Sequence, residues 1–163
     1  MNKVNYAKEF HTAASQIDKK LLAQKQLKVW VGTFQECDVL KIYKQSWANP
    51  NEDPITSPSR IFFSIWVDPA KEEKLLYNIH ALKLRQLKGY KVESRKFAEV
   101  FRREFKAFAH DWENVNINHG PLTLMQGFVT PESKDLKNAV LKLTGHFLKI
   151  QHLIDQSLGQ FRL

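Results

Sequence analysis

Apolar positions near the start of the chain recur at helical spacing. Tyr6, Phe10, Ala13, Ala14, Ile17 and Leu21 step by three and four, while Lys8, Glu9, Lys19 and Lys20 fall among the polar positions, which predicts a helix over residues 4–24. The period then shortens. Val29, Val31 and Thr33 alternate with Trp30, Gly32 and Phe34. Val39-Leu40-Lys41-Ile42-Tyr43 leads to Trp47, and Ile61 to Val67 reads Ile-Phe-Phe-Ser-Ile-Trp-Val. Short runs rich in β-branched and aromatic residues read as three strands. Gln35-Glu36-Cys37-Asp38 is expected as the turn between the first two, and the Asn/Pro/Ser-rich stretch from Asn49 to Ser59 as a loop inside one domain.

Residues 68–89 fit two templates. Asp68, Pro69, Glu72, Glu73 and Gly89 punctuate a helix, with an N-cap, a first-turn proline, early acids and a terminal glycine. Leu75-Leu76-Tyr77-Asn78-Ile79-His80 equally reads as a strand returning to pair with 61–67. Ser94 then opens a second amphipathic helix. Its stripe is Phe97, Phe101, Phe105, Phe108 and Trp112 with Ala98 and Ala109 at the margin, and Arg95, Arg102, Arg103, Lys106, Glu99 and His110 lie opposite. Residues 113–130 contain an Asn-His-Gly-Pro turn and a short strand around 122–125. Thr130-Pro131-Glu132 starts a last helix whose stripe of Leu136, Val140, Leu143, Phe147, Ile150, Ile154, Leu158 and Phe161 runs on the order of 40 Å. The expected fold is therefore α+β: a small, mostly antiparallel sheet of about four strands with N-terminal, middle and long C-terminal amphipathic helices packed on it. Residues 1–163 are read as one domain.

Charge adds a location. Nine basic and three acidic residues lie between Lys83 and Lys106, a local excess of six in a chain whose formal net charge is +8. Clustered cations attract anions and say nothing about fold. This makes Arg85, Lys88, Arg95, Arg102, Arg103 and Lys106 candidates for engaging nucleic acid or an acidic protein face, in a non-catalytic binding module. The competing reading is a solvated helix face in which Arg95, Glu99 and Arg103 neutralise one another at spacing four.

Candidate chemistry is otherwise sparse. The histidines lack the spacing of a helical metal pair, and one cysteine cannot build a thiolate site, so no metal and no cofactor is implied. Cys37, flanked by Glu36 and Asp38, reads as an inert thiol. The alternative function is a small-molecule-binding domain or an enzyme. Its pocket would be lined by Trp30, Trp47, Trp66 and Tyr77, with His80, His119 and an arginine as polar groups for an acidic ligand. Phosphate-loop, nucleophile-elbow, zincin and dinucleotide motifs are absent from the sequence. The missing disulfide framework, and the lack of any apolar run near the roughly 20 residues of a membrane span, suggest a cytoplasmic protein. The C-terminal stripe resembles a coiled-coil seam over nearly four turns, although Gly145 interrupts it and Leu141, Leu148 and Leu153 widen it. Burial in the same domain is expected for most of it, with homodimerisation through its far end as the other use.

Overall fold

The computed structural model describes residues 5–71, 73–132 and 135–163; Val4 at the start of the expected first helix, and Glu72, lie outside them. The elements follow in the order α1 (Tyr6–Gln16), α2 (Lys19–Gln24), β1 (Lys28–Phe34), β2 (Cys37–Tyr43), β3 (Arg60–Val67), β4 (Leu75–Leu82), α3 (Ser94–Phe105), β5 (Thr123–Val129) and α4 (Leu136–Gly159). All five strands form one antiparallel sheet in chain order. The class is α+β, with five strands where the pattern predicted about four.

The added strand is β4. Asp68 and Pro69 start only a 3₁₀ turn at Pro69–Lys71, with the Asp68 carboxylate accepting the Ala70 N–H. Beyond it β4 pairs with β3 from Leu75 opposite Val67 to Leu82 opposite Arg60, and with β5 on its other edge. Leu75, Tyr77, Ile79 and Ala81 are all buried at period two. Flanking strands satisfy the backbone groups on both edges, which outweighs local helix punctuation.

The expected first helix is two helices. Ile17 is extended, and the Asp18 carboxylate accepts the N–H groups of Lys20 and Leu21, so α2 restarts on its own cap. Between β1 and β2 the turn is two residues long. Gln35 and Glu36 both have positive φ, 50° and 66°, the backbone of a type I′ hairpin whose twist matches the strands.

One face of the sheet carries the core. Leu40, Ile42, Ile61, Phe63, Ile65 and Tyr77 from the strands meet Phe10 of α1, Phe97, Phe101 and Phe105 of α3, and the buried stripe of α4. Phe147 of α4 stacks on Phe63 at 4.5 Å with an interplanar angle of 6°. Helix α3 ends at Phe105, and a 3₁₀ turn at Ala109–Asp111 carries Trp112 into contact with Phe63, Tyr77 and Phe105. Tyr77 lies so close over Gly127 that a Cβ there would fall 2.3 Å from its hydroxyl, which donates to the Glu113 carbonyl.

Helix α4 begins at Leu136, a turn later than its sequence start signal, and spans 24 residues. Its Asp155 accepts from Lys44 Nζ at 2.6 Å and Trp47 Nε1 at 2.8 Å, joining the helix to the segment after β2. At the far end Phe161 packs on Phe97, its carbonyl accepts the Lys91 N–H, and Leu163 N–H donates to Gly89, so this end is held by residues 89–97 of the same chain. None of the described helices is long and apolar enough to cross a membrane.

Candidate anion-binding groove on the helix-free sheet face

Strand pleating sends every second residue to the face opposite the core. Register places Trp30, Lys41, Ser64, Asn78 and Gln126 opposite one another in a row across all five strands. Gly32, Val39, Trp66, Leu76 and Phe128 form the next row, and Phe62 stands opposite His80. Val39 and Phe62 are buried yet lie outside the helix-side core, so this face has a packed layer of its own.

That layer borders a groove of about 410 Å³. Aromatic and aliphatic walls come from Phe34, Val39, Phe62, Trp66 and Leu82, and polar groups from Lys41, Arg60, Ser64, Asn78 and His80. Its size and its mixture of apolar wall and few polar groups suit a small ligand.

The cations define its chemistry. Lys41 is only 4% exposed. Its Nζ lies 4.5 Å from the ring centre of Phe62, 4.8 Å from that of Phe34 and 5.7 Å from that of Trp30. Among the described residues neither Lys41 nor Arg60 makes an ion pair, and no carboxylate lines the groove. Burial, then the nearby Arg60 guanidinium, lowers the Lys41 ammonium to a pKa of about 8. Arg60 sits 5.2 Å over the same Phe62 ring and donates from Nη1 to the Ser57 carbonyl, while its Nε is buried with no hydrogen-bond partner among the described residues.

A hydrogen-bond chain fixes the floor. Ser64 Oγ donates to Asn78 Oδ1 at 2.6 Å; Asn78 Nδ2 then faces His80 Nε2 at 2.9 Å and donates to Gln126 Oε1 at 3.3 Å. With the Asn78 amide as donor, His80 Nε2 is the acceptor and the ring proton sits on Nδ1. Burial first, then Lys41 and Arg60, push the His80 pKa down, so the imidazole is neutral at pH 7. Charge is graded along the groove: at the Cys37 end, burial and then Asp68, Asp38 and Glu36 raise the thiol pKa. Trp30 depends on Gly32 beside it, where a Cβ would fall 2.3 Å from the indole.

The residues singled out from sequence divide among several places. Trp30, Trp66 and His80 stand on the groove face, whereas Trp47 and Tyr77 are fully buried on the helix side, so the four aromatics do not surround one cavity. His119 is in the loop before β5, and its carbonyl accepts from Arg102. Arg102 is occupied: Nε donates to Leu124, and Nη2 to His119, Gly120 and Thr123 carbonyls. Arg85, Arg95, Arg103 and Lys106 are exposed and make no ion pair among the described residues. Lys88 borders a different depression with Lys28 and Lys44, between the end of α2 and the segment after β2. Among the described residues no three His, Cys, Asp or Glu side chains converge as metal ligands would.

Lys41, Arg60, Ser64 and Asn78 were not singled out as site residues. Three of them carried a signal: Lys41, Ser64 and Asn78 each interrupt an otherwise apolar strand core. Compared with protein-family models, with curated proteins and with solved structures, the chain gives no match.

Proposed function

We propose that the protein binds a small, flat organic anion, such as an arylacetate, in the groove on the helix-free sheet face. What carries this reading is that Lys41 and Arg60 flank one aromatic ring without a carboxylate partner among the described residues. Two desolvated cations without a counter-charge are costly, and a bound carboxylate offsets that cost. Phe34, Phe62 and Trp66 supply flat apolar surface for the rest of the ligand. Calorimetric titration with phenylacetate and with its neutral counterpart 2-phenylethanol tests the reading. Phenylacetate should bind at least about tenfold more tightly, and replacing both cations in Lys41→Met/Arg60→Met should remove the difference. Equal affinity for the two compounds would refute it.

A second reading places an anionic polymer, nucleic acid or an acidic protein, along α3. It is favoured by the exposure of Arg95, Arg103 and Lys106 without ion pairs among the described residues. Filter binding of single-stranded DNA across a salt series tests it. Affinity should fall steeply with salt and drop further in Arg95→Glu/Arg103→Glu; binding unaffected by the double substitution rules it out.

A further inference from the structure

We infer that Lys41 forms an imine with the carbonyl carbon of a small oxo-carboxylic acid whose carboxylate is held by Arg60. The inference rests on the anion-binding reading of the groove and adds a reaction to it.

An amine is a nucleophile only in its unprotonated form. Two conditions favour that form, removal of the ammonium from water and a neighbouring positive charge, and Lys41 meets both. It is 4% exposed, it forms no ion pair among the described residues, and Arg60 stands over the same Phe62 ring. Described lysines outside the groove lack this setting: Lys44, for example, is paired with Asp155, and Lys88 and Lys106 are exposed. Arg60 has guanidinium donors beyond the one given to Ser57, and a carboxylate placed on it brings the rest of a short molecule toward Lys41. Binding energy at the carboxylate thereby orients the carbonyl, which is the entropic part of the barrier.

The step balances without an oxidant or reductant. The Lys41 nitrogen lone pair attacks the carbonyl carbon, forming the C–N bond, and the π electrons move to oxygen, which takes a proton. The carbinolamine then breaks its C–O bond. The carbonyl oxygen leaves as water with the two hydrogens originally on nitrogen, and a C=N bond remains. Ser64, Asn78 and His80 form the polar floor beside it, with His80 in the neutral form.

The test uses the full chain with phenylpyruvate and sodium cyanoborohydride at about pH 7.5, near the lowered ammonium range of a buried lysine. Intact mass and peptide mapping give the readout. A single adduct is expected on Lys41, with the mass of the oxo acid less one oxygen atom, and none in Lys41→Arg. Labelling spread equally over exposed lysines, or no labelling, would overturn the imine. Arg60→Met should lower labelling by phenylpyruvate about tenfold more than labelling by phenylacetaldehyde, which loses only the part owed to the missing neighbouring charge. Equal loss with both compounds would overturn the role of Arg60. Phenylacetate bound without any phenylpyruvate adduct removes the imine but leaves the anion site standing; failure of both removes the groove reading itself. Mapping on the wild-type chain decides the central point without depending on a variant's folding.

Discussion

Lys41 and Arg60 share one ring. Nζ of the first lies 4.5 Å, and the guanidinium carbon of the second 5.2 Å, from the centre of Phe62. Two cations on one aromatic side chain, on the sheet face without a helix, are held there by register: Lys41 is opposite Ser64 on β3, two residues beyond Phe62 and four beyond Arg60 on the same face. The cost appears in the lowered pKa values of Lys41 and Arg60, for both of which burial is the largest cause.

Lys41 therefore imposes a pH dependence on stability. Its folded pKa of about 8 is below the unfolded value of about 10.4. Between those values the unfolded chain holds a proton that the folded chain has released, so stability rises with pH across that window. Below pH 8 both states are protonated and the burial cost is fully present. In denaturant titrations at several pH values, Lys41→Met should be more stable than wild type at pH 7, by an amount on the order of 1–2 kcal/mol. The difference should shrink as pH approaches 10. A constant difference would show that Lys41 titrates normally.

Gly32 makes room for Trp30. A Cβ at position 32 would fall 2.3 Å and 2.4 Å from two atoms of the indole. In a strand Ala normally exceeds Gly in stability, so the sign of the effect is diagnostic. Gly32→Ala should destabilise by about 1 kcal/mol in wild type and be neutral or stabilising in a Trp30→Ala background. Additive effects in the double-mutant cycle would show that the indole does not occupy this space.

Arg102 and Arg103 are adjacent in sequence and opposite in consequence. Arg102 donates to four carbonyls of the 119–124 segment, whereas Arg103 is exposed. Arg102→Met should cost about 1–3 kcal/mol in chemical denaturation, since part-buried carbonyls lose their donor. Arg103→Met should stay within about 0.5 kcal/mol. Equal effects would contradict the tie that Arg102 makes between α3 and the 119–124 segment.

The β1–β2 turn offers a gain. Glu36 has φ of 66° in a position that glycine adopts without strain. Glu36→Gly should raise the midpoint of thermal unfolding, corresponding to about 0.5–1 kcal/mol; a lower midpoint would contradict the type I′ turn.

Much of this fold was legible in the chain because burial writes itself as period. The stripe Phe97, Phe101, Phe105, the alternation in β1 and the near-continuous apolar run of β3 correspond directly to buried or paired positions. Most of what escaped was decided by partners distant in sequence. Residues 68–89 carry helix punctuation, yet Leu75–Leu82 is a strand because β3 and β5 flank it. The break at Ile17–Asp18 is a local cap hidden under a continuous apolar stripe. The groove depends on register, which brings Lys41, Ser64, Asn78 and Gln126 from four strands into one row; no short motif encodes that. Trp47 and Tyr77 show the converse, since residue type alone does not say which face of a sheet an aromatic takes.

The most direct test of the anion-binding groove is a backbone ¹H–¹⁵N shift map of the protein titrated with phenylacetate. The expected result is saturable shifts centred on Lys41, Ser64, Trp66, Asn78 and His80, weakened in Lys41→Met and reached with 2-phenylethanol only at concentrations at least about tenfold higher. Shifts confined to the exposed face of α3 around Arg95 and Arg103, or none at millimolar ligand, would contradict it.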